Sequence, residues 1–412
     1  MLNKSYLHPS DAIAMLLERL SVHVPDTERL RIEECYGRIA ASDILSREDL
    51  PGFARSTMDG YAVKASDTYG AKENLPAYLN LGGEIFMGEK PDFEIGAGQA
   101  AKIPTGGMIP PGADAVVMLE HVQTVSDNMI EVLKPVAQGE NVIQRDEDIR
   151  KGDVVVRMGR KLRAQDIGAL AGVGVTSIEI FRKPVVALIS TGDEIVPADS
   201  SVGPGQVRDI NSFTLSGLIL EEGGVACKKG IFKDDYDTIR SGVEQALRDS
   251  DMIVIIGGTS AGTRDMTAKI IDEIGSPGVL FHGVAVKPGK PLIGGVVQGK
   301  PLLGLPGHPA AAVVSFDLFI APLIRLLSGA DVSLRFRKSV KAVMGKSIAS
   351  AAGREDHIRV YVEQGNADEH RAFPILGKSG LITTLVKADG IVIIPAAKLG
   401  LDQGEPVTVN LF

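Results

Sequence analysis

The sequence predicts a multidomain α/β and β chain. A central doubly wound α/β domain with a mainly parallel sheet is joined by a small β-rich inserted domain, a helical or extended N-terminal region and a C-terminal β-barrel-like domain. The length, 412 residues, exceeds what one ordinary core supports. From about residue 181, short apolar runs ending in Gly, Asp, Ser or Thr alternate with helical stretches, the pattern of a parallel sheet covered on both faces. On either side of that segment lie short β-like runs separated by Gly and Pro. The expected boundaries are 1–50 with 145–180 for a discontinuous N-terminal linker or helical domain, 51–144 for the small β-rich domain, 181–328 for the α/β domain and 329–412 for the last module.

In chain order, Ser10 is a candidate N-cap for a helix with Ile13, Leu16, Leu17 and Leu20 on one face. The runs "AYLNL", "AAKIP", "AVVMLEHV" and "MIEVL" read as strands of the small domain. "RKLRAQDIGALAGVG" (160–174) returns to helix, with Gly172 and Gly174 as stop signals. In the α/β segment, "PVVALIS", "VACKKGIF" and "DMIVIIGG" are strands, and "NSFTLSGLILEEGG" and "DDYDTIRSGVEQALRDS" are helices. "HPAAAVVSFDLFIAPLIRLLSG" (308–329) reads as a closing helix, followed by the β-runs "SVKAVM", "HIRVYV", "GIVIIP" and "PVTVNLF". No run reaches the ~18 uninterrupted apolar residues of a membrane span, and the N-terminus lacks a signal-peptide apolar core.

Composition narrows the function class. The formal net charge of −8 argues against a general nucleic-acid or membrane-surface binder. Cys35 and Cys227 are the only cysteines and lie in no CxxC or Cys/His cluster, which speaks against a thiolate zinc site and for a reducing, cytoplasmic compartment.

Several segments carry candidate chemistry. "RSTMDGYA" (55–62) sets Asp59 inside an apolar-looking run. Its plain reading is Asp-Gly turn chemistry; its sharper one is a carboxylate held out for a reaction. In an open parallel sheet, ligands sit beyond the carboxyl ends of the strands, and three loops occupy that position. "STGDE" (190–194) follows a strand, although Ser, Thr and Asp there would also serve a helix cap. "GGTSAGTRD" (257–265) offers small residues that let backbone N–H groups approach an anion ahead of a helix. It also matches G-x-S-x-G around Ser260, with His282, His308 and His357 downstream, so a serine hydrolase is an alternative. "VKPGKP" (286–291), followed by "GLPGHP" (304–309), sets Lys287 and Lys290 about a stiff Pro-Gly turn. That arrangement is able to aim both ammonium groups at one phosphate or oxyanion. Asp148, Asp234, Asp235 and Asp265 stand in similar loops and suit a hard cation such as Mg²⁺, or merely cap helices.

Taken in order, "SxMDGYA", "IPTGGMIPPGADAVVMLE", "EDI", "STGDE", "GGTSAGTRD", "KPGKP" and "GLPGHP" resemble the molybdopterin molybdotransferase family, which includes bacterial MoeA and the E domain of gephyrin. The resemblance covers essentially the whole chain. It implies insertion of molybdate into adenylylated molybdopterin with release of AMP, aided by Mg²⁺ or a similar cation. It also implies an elongated homodimer whose cleft lies between the α/β and C-terminal domains of one subunit and the small domain of the other. The molybdopterin adenylyltransferase is a further implied partner. Carried over residue by residue, the catalytic positions are Asp59, Thr105, Asp148, Glu194, Lys287, Arg354 and Ser379, with Thr383 an alternative to Ser379. Metal positions are Glu194, Asp234 (or its neighbour Asp235) and Asp265. Binding positions are Thr191, Gly257, Gly258, Thr259, Ser260, Gly262, Lys290, Pro306 and Gly307. Two departures stand out: His308 where the family usually has Asn, and Gly283 where some relatives have Lys. A non-catalytic pterin-binding or scaffolding role is the alternative within the same fold.

Overall fold

The computed structural model describes residues 6–20, 25–257, 263–331, 338–365 and 369–412. Helix α1 (Pro9–Leu20) starts one residue before the expected cap. Pro9 takes the first helical position, where its missing N–H costs nothing, and the His8 carbonyl accepts the first intrahelical bond from Ala12 at 3.1 Å. His8, not Ser10, therefore ends the chain's approach to the helix. Its face Ala12, Leu16 and Leu20 is buried in the core of the α/β layer. Its apolar stripe finds its partner surface on the α/β sheet.

Strand β1 (Thr27–Arg31) opens a separate unit. The chain then enters a six-stranded sheet built from β2 (Gly60–Val63), β3 (Ala77–Glu84), β4 (Gln99–Ile103), β5 (Ala115–Met118), β6 (Val122–Ser126) and β7 (Met129–Val132). Its spatial order is β5-β2-β4-β3-β7-β6, with only the β3–β4 pair parallel. Alternate residues of β2 feed two cores, Tyr61 and Val63 one, Ala62 the other, so this short strand is buried on both faces. After helix α2 (Ala164–Gly172), β8 (Ser177–Phe181) returns to pair antiparallel with β1. Ile32, Cys35, Leu170 and Ile180 share the core of that unit.

The α/β layer contains β9 (Val185–Thr191), α3 (Asn211–Glu221), β10 (Val225–Phe232), α4 (Tyr236–Asp249), β11 (Met252–Ile256), α5 (Thr263–Ile274) and β12 (Gly278–His282). It continues with β13 (Val286–Lys287), β14 (Ile293–Val297), β15 (Lys300–Leu305) and the long helix α6 (Pro309–Leu327). The sheet order is β10-β9-β11-β15-β14-β12; the first four strands are parallel, β14 runs against them, and β12, antiparallel to β14, runs with them. Each central strand splits its side chains between two cores. Val186, Leu188 and Val254 face α1, α3 and α6, whereas Ala187, Ile189 and Ile255 face α4 and α5. By length and composition α6 is long and apolar enough to cross a membrane, but Asp317 and Arg325 interrupt its apolar run and 72% of its apolar window is buried inside this fold.

The last module is formed by β16 (Ser339–Met344), β17 (Glu355–Gln364), β18 (His370–Pro374), the short helix α7 (Thr383–Val386), β19 (Gly390–Ile394) and β20 (Pro406–Leu411). Five strands close into a barrel in the order β17-β18-β16-β20-β19, with β19 pairing back onto β17. Val360, Ala372, Val392 and Val409 fill it. Two features lock the barrel to the α/β layer. Strand β13 joins its edge as a parallel neighbour of β17, and Ile391 leaves the barrel to lie in the α/β core.

Phe319 of α6, fully buried, packs against Phe281 with ring centroids 5.6 Å apart. Phe319→Ala is expected to cost about 3–5 kcal/mol, through lost burial and the cavity left behind. The measurement is the fall in the urea midpoint followed by far-UV circular dichroism.

Candidate functional site

Two of the three loops expected beyond parallel strand ends, "STGDE" and "GGTSAGTRD", leave adjacent parallel strands, as does "GLPGHP"; the third, "VKPGKP", instead forms β13 at the edge of the barrel. Thr191 ends β9, Gly257 follows β11, and Pro306 and Gly307 follow β15. They are packed closely. The Thr191 hydroxyl donates to the Ile256 carbonyl at 3.3 Å, and Gly257 N–H donates to the Leu305 carbonyl at 3.1 Å. Gly257 has φ of +97°, and a Cβ there would lie 2.4 Å from the Thr191 carbonyl oxygen, so no other residue fits this turn. Gly258, Thr259, Ser260 and Gly262 lie outside the described residues. Asp265 stands in the first turn of α5, and its side chain is also outside the described set.

A second ring of polar groups supports these loops and was not singled out in the sequence. Asn211, at the start of α3, donates from its side-chain amide to the Gly307 carbonyl at 2.7 Å, while its own buried Oδ1 has no hydrogen-bond partner. Asp209 accepts from Ser190 Oγ at 2.8 Å and from the Ser212 N–H at 3.1 Å. Beside them a cavity of about 740 Å³ opens, lined by Ser190, Gly192, Asp193, Asp209, Lys228 and Lys233. The only sequence signal for these residues was their position, "RDINS", ahead of the α3 stripe.

The acidic residues divide by role. Asp235 caps α4, accepting from Thr238 N–H at 2.9 Å and from its hydroxyl at 2.6 Å, and these bonds hold its carboxyl below the usual range. Its neighbour Asp234 is the opposite case. Burial raises its pKa, the charges of Asp193 and Glu194 raise it further, and its Oδ1 is buried without a partner. Of the two alternatives, Asp234 is thus the carboxylate with unmet demand for a cation. Among the described residues no three His, Cys, Asp or Glu side chains close on one point as a metal site. The oxygen-only donors Glu194 and Asp234 suit a hard cation that takes its remaining ligands from water and substrate phosphate. Asp148 is exposed in its loop, anchored through its N–H to the Leu50 carbonyl at 3.1 Å.

Asp59 and Thr105 meet in the small domain. Asp59 Oδ1 accepts from Thr105 N–H at 2.7 Å and from Thr105 Oγ1 at 3.0 Å, which holds the carboxyl below its ordinary range. The carboxylate does not bond its own turn. Gly60 is a glycine for a different reason from turn geometry, since a Cβ there would lie 2.0 Å from the Val117 carbonyl oxygen. Close strand packing, not positive φ, fixes the Asp-Gly pair.

The cations lie at the seam between the α/β layer and the barrel. Register pairs Lys287 of β13 with Asp356 of β17, and the Lys287 ammonium stands 3.6 Å from Asp356 Oδ2. Arg354 Nε donates to Asp356 Oδ1 at 2.9 Å. Lys290 does not join them: its ammonium lies 4.1 Å over the Tyr6 ring. The same ring explains Gly283, whose Cβ would lie 2.6 Å from Tyr6, so this position has no room for a lysine while Tyr6 is there. Across the seam, Ser379 Oγ meets His308 Nδ1 at 2.9 Å and the Ser379 carbonyl accepts from Ala310 N–H at 3.1 Å. Ser379, not Thr383 of α7, is the residue facing "GLPGHP". His357 is engaged by Glu355 at 3.4 Å and His308 by Ser379, and Ser260 itself lies outside the described residues.

Three family models match the chain: MoeA N-terminal region (domain I and II) over residues 7–174, probable molybdopterin binding domain over 187–326, and MoeA C-terminal region (domain IV) over 341–412. The chain is 32% identical to the molybdopterin molybdenumtransferase of Haemophilus influenzae, covering 97% of each. It is 31% identical to that of Bacillus subtilis, over 94% of this chain and 90% of the relative. The crystal structure of the molybdopterin biosynthesis MoeA protein from Pyrococcus horikoshii OT3 superposes with a TM-score of 0.83 at 32% identity, covering 99% of this chain and 100% of that one.

Asp234 and Asp235 separate in a simple experiment. Because the folded-state pKa of Asp234 is raised, its ionised form destabilises the fold, and that penalty grows as pH rises through its titration. Asp234→Asn is therefore expected to raise Tm at neutral pH in chelator, with the advantage vanishing at acid pH, while turnover falls. Asp235→Ala is expected to lower Tm by roughly 2–4 °C with turnover kept.

Proposed function

Since the chain belongs to the MoeA family of molybdopterin molybdenumtransferases, we propose that it inserts molybdate into adenylylated molybdopterin and releases AMP, in the closing step of molybdenum cofactor biosynthesis. The observation that carries this reading is the pairing of Lys287 and Arg354 at the α/β–barrel seam. Two anions, an oxyanion and a pyrophosphate-bearing dithiolene, must meet, and fixed cations offset their repulsion. Little covalent work is then asked of the protein, and positioning dominates the rate.

In this reading the cavity beside Ser190 and Asp209 takes the pterin end, and Lys287, Arg354 and Ser379 take the oxyanion. Asp59, kept ionised by Thr105, orients the water that cleaves the phosphoanhydride to AMP. Mg²⁺ would be held by Glu194 and Asp234, with Asp265, and would screen the pyrophosphate charge. The family resemblance implies a homodimer in which the partner's small domain, carrying its own Asp59 and Thr105, faces this cleft. The adenylyltransferase that makes the substrate is the expected second partner. The unbridged cysteines Cys35 and Cys227 support a cytoplasmic site of action.

Purified protein mixed with adenylylated molybdopterin, molybdate and Mg²⁺ is expected to form molybdenum cofactor and stoichiometric AMP. Absence of both would refute the reading. Asp59→Asn, which keeps an oxygen acceptor for Thr105 and removes the charge, is expected to lower kcat by roughly 10²-fold.

A further inference from the structure

Asp356 was not singled out by any motif, and its surroundings are unusual. Its side chain is 1% exposed, at the end of the barrel where β17 meets β13. Oδ1 is satisfied by Arg354, but Oδ2 has no hydrogen-bond partner, and its nearest cation is the Lys287 ammonium at 3.6 Å. The two cations are far less buried, with Lys287 58% and Arg354 35% exposed. One hidden carboxylate is therefore contacted by two cations whose side chains stay open to solvent. Lysine offers three donors and the guanidinium five, and Asp356 engages only one with hydrogen-bond geometry.

We propose that Asp356 is a positioning residue for the oxyanion subsite, a reading that rests on the molybdotransferase function above. Two like charges held close together repel, and two long side chains lose rotamer freedom each time they gather round an anion. Asp356 removes both obstacles in advance. It offsets the mutual repulsion, leaves the trio with a net charge of +1, and fixes where the free N–H groups point. A tetrahedral dianion then meets a preformed pair of donors. Glu355, next along β17, anchors the same strand from the other side: it pairs with His8 at 3.1 Å and His357 at 3.4 Å, and His357, then His8, help hold its carboxyl below the usual range. The strand that carries Asp356 is thus held on both faces.

The test separates positioning from mere structure. Asp356→Glu keeps the buried negative charge and shifts it by one methylene, so a charge needed only for folding is retained. Equilibrium dialysis with sodium molybdate and steady-state kinetics are run on the full-length wild type, D356E and D356N. Positioning predicts that KM and Kd for molybdate rise roughly tenfold in D356E and further in D356N, with KM for the adenylylated pterin unchanged. It also predicts that D356E costs less in a Lys287→Ala background than in the wild type, since one of the two cations it positions is already gone while the Arg354 contact remains. D356E with wild-type molybdate binding would overturn the proposal, as would D356N that folds and binds molybdate more tightly through the added positive charge. A wild type that neither binds molybdate nor yields cofactor would overturn the functional reading itself. Active wild type with unaltered D356E overturns only the role of Asp356.

Discussion

Two cations are held against one buried carboxylate where the α/β layer meets the barrel, and the arrangement of the rest of the molecule serves that pairing. Lys287 belongs to the α/β layer, Asp356 to the barrel strand β17 and Arg354 to the residue just before it, so the pair exists only while the two modules stay in register. A two-residue strand pairing could not secure this alone. Ile391 buried in the α/β core, the Ser379–His308 contact and the His8–Glu355 pair each join the same two modules. Hydrophobic burial supplies the adhesion, and the directional contacts supply the register.

The acidic side of the site follows the opposite logic. Lys287 and Arg354 have a built-in counter-ion, whereas Asp234 has like-charged neighbours and an oxygen with no donor. Such a carboxylate is a cost to the fold that a bound cation would relieve. Asp59 is different again: two bonds from Thr105 keep it ionised without neutralising it. One chain thus carries cations already compensated, an anion awaiting compensation and an anion merely oriented.

Much of this was legible in the sequence. The strands of the α/β layer are continuous apolar runs because both faces are buried, and a run such as "DMIVII" permits few other readings. The loops after β9, β11 and β15 could be located because ligands gather at parallel strand ends. What was illegible depended on partners distant in sequence. Nothing in "REDH" reveals that Asp356 lies beside Lys287, 69 positions earlier, because strand register creates that neighbour. Lys290 looked like a twin of Lys287 until Tyr6 claimed it, and the partner surface of the α1 stripe, the α/β sheet, lies far along the chain. Asp234 and Asp235 are adjacent in sequence and opposite in role, since only one can cap α4.

The proposed cleft needs Asp59 from one copy and Lys287 from another, and subunit mixing tests this most directly. Asp59→Asn and Lys287→Ala proteins, each inactive alone, are unfolded or exchanged together and assayed for AMP release. If the site is shared, half of the random dimers contain one intact cleft, and activity should return to about a quarter of wild type. If each subunit builds its cleft from its own Asp59, every site in the mixture carries a defect. No recovery of activity would contradict the account.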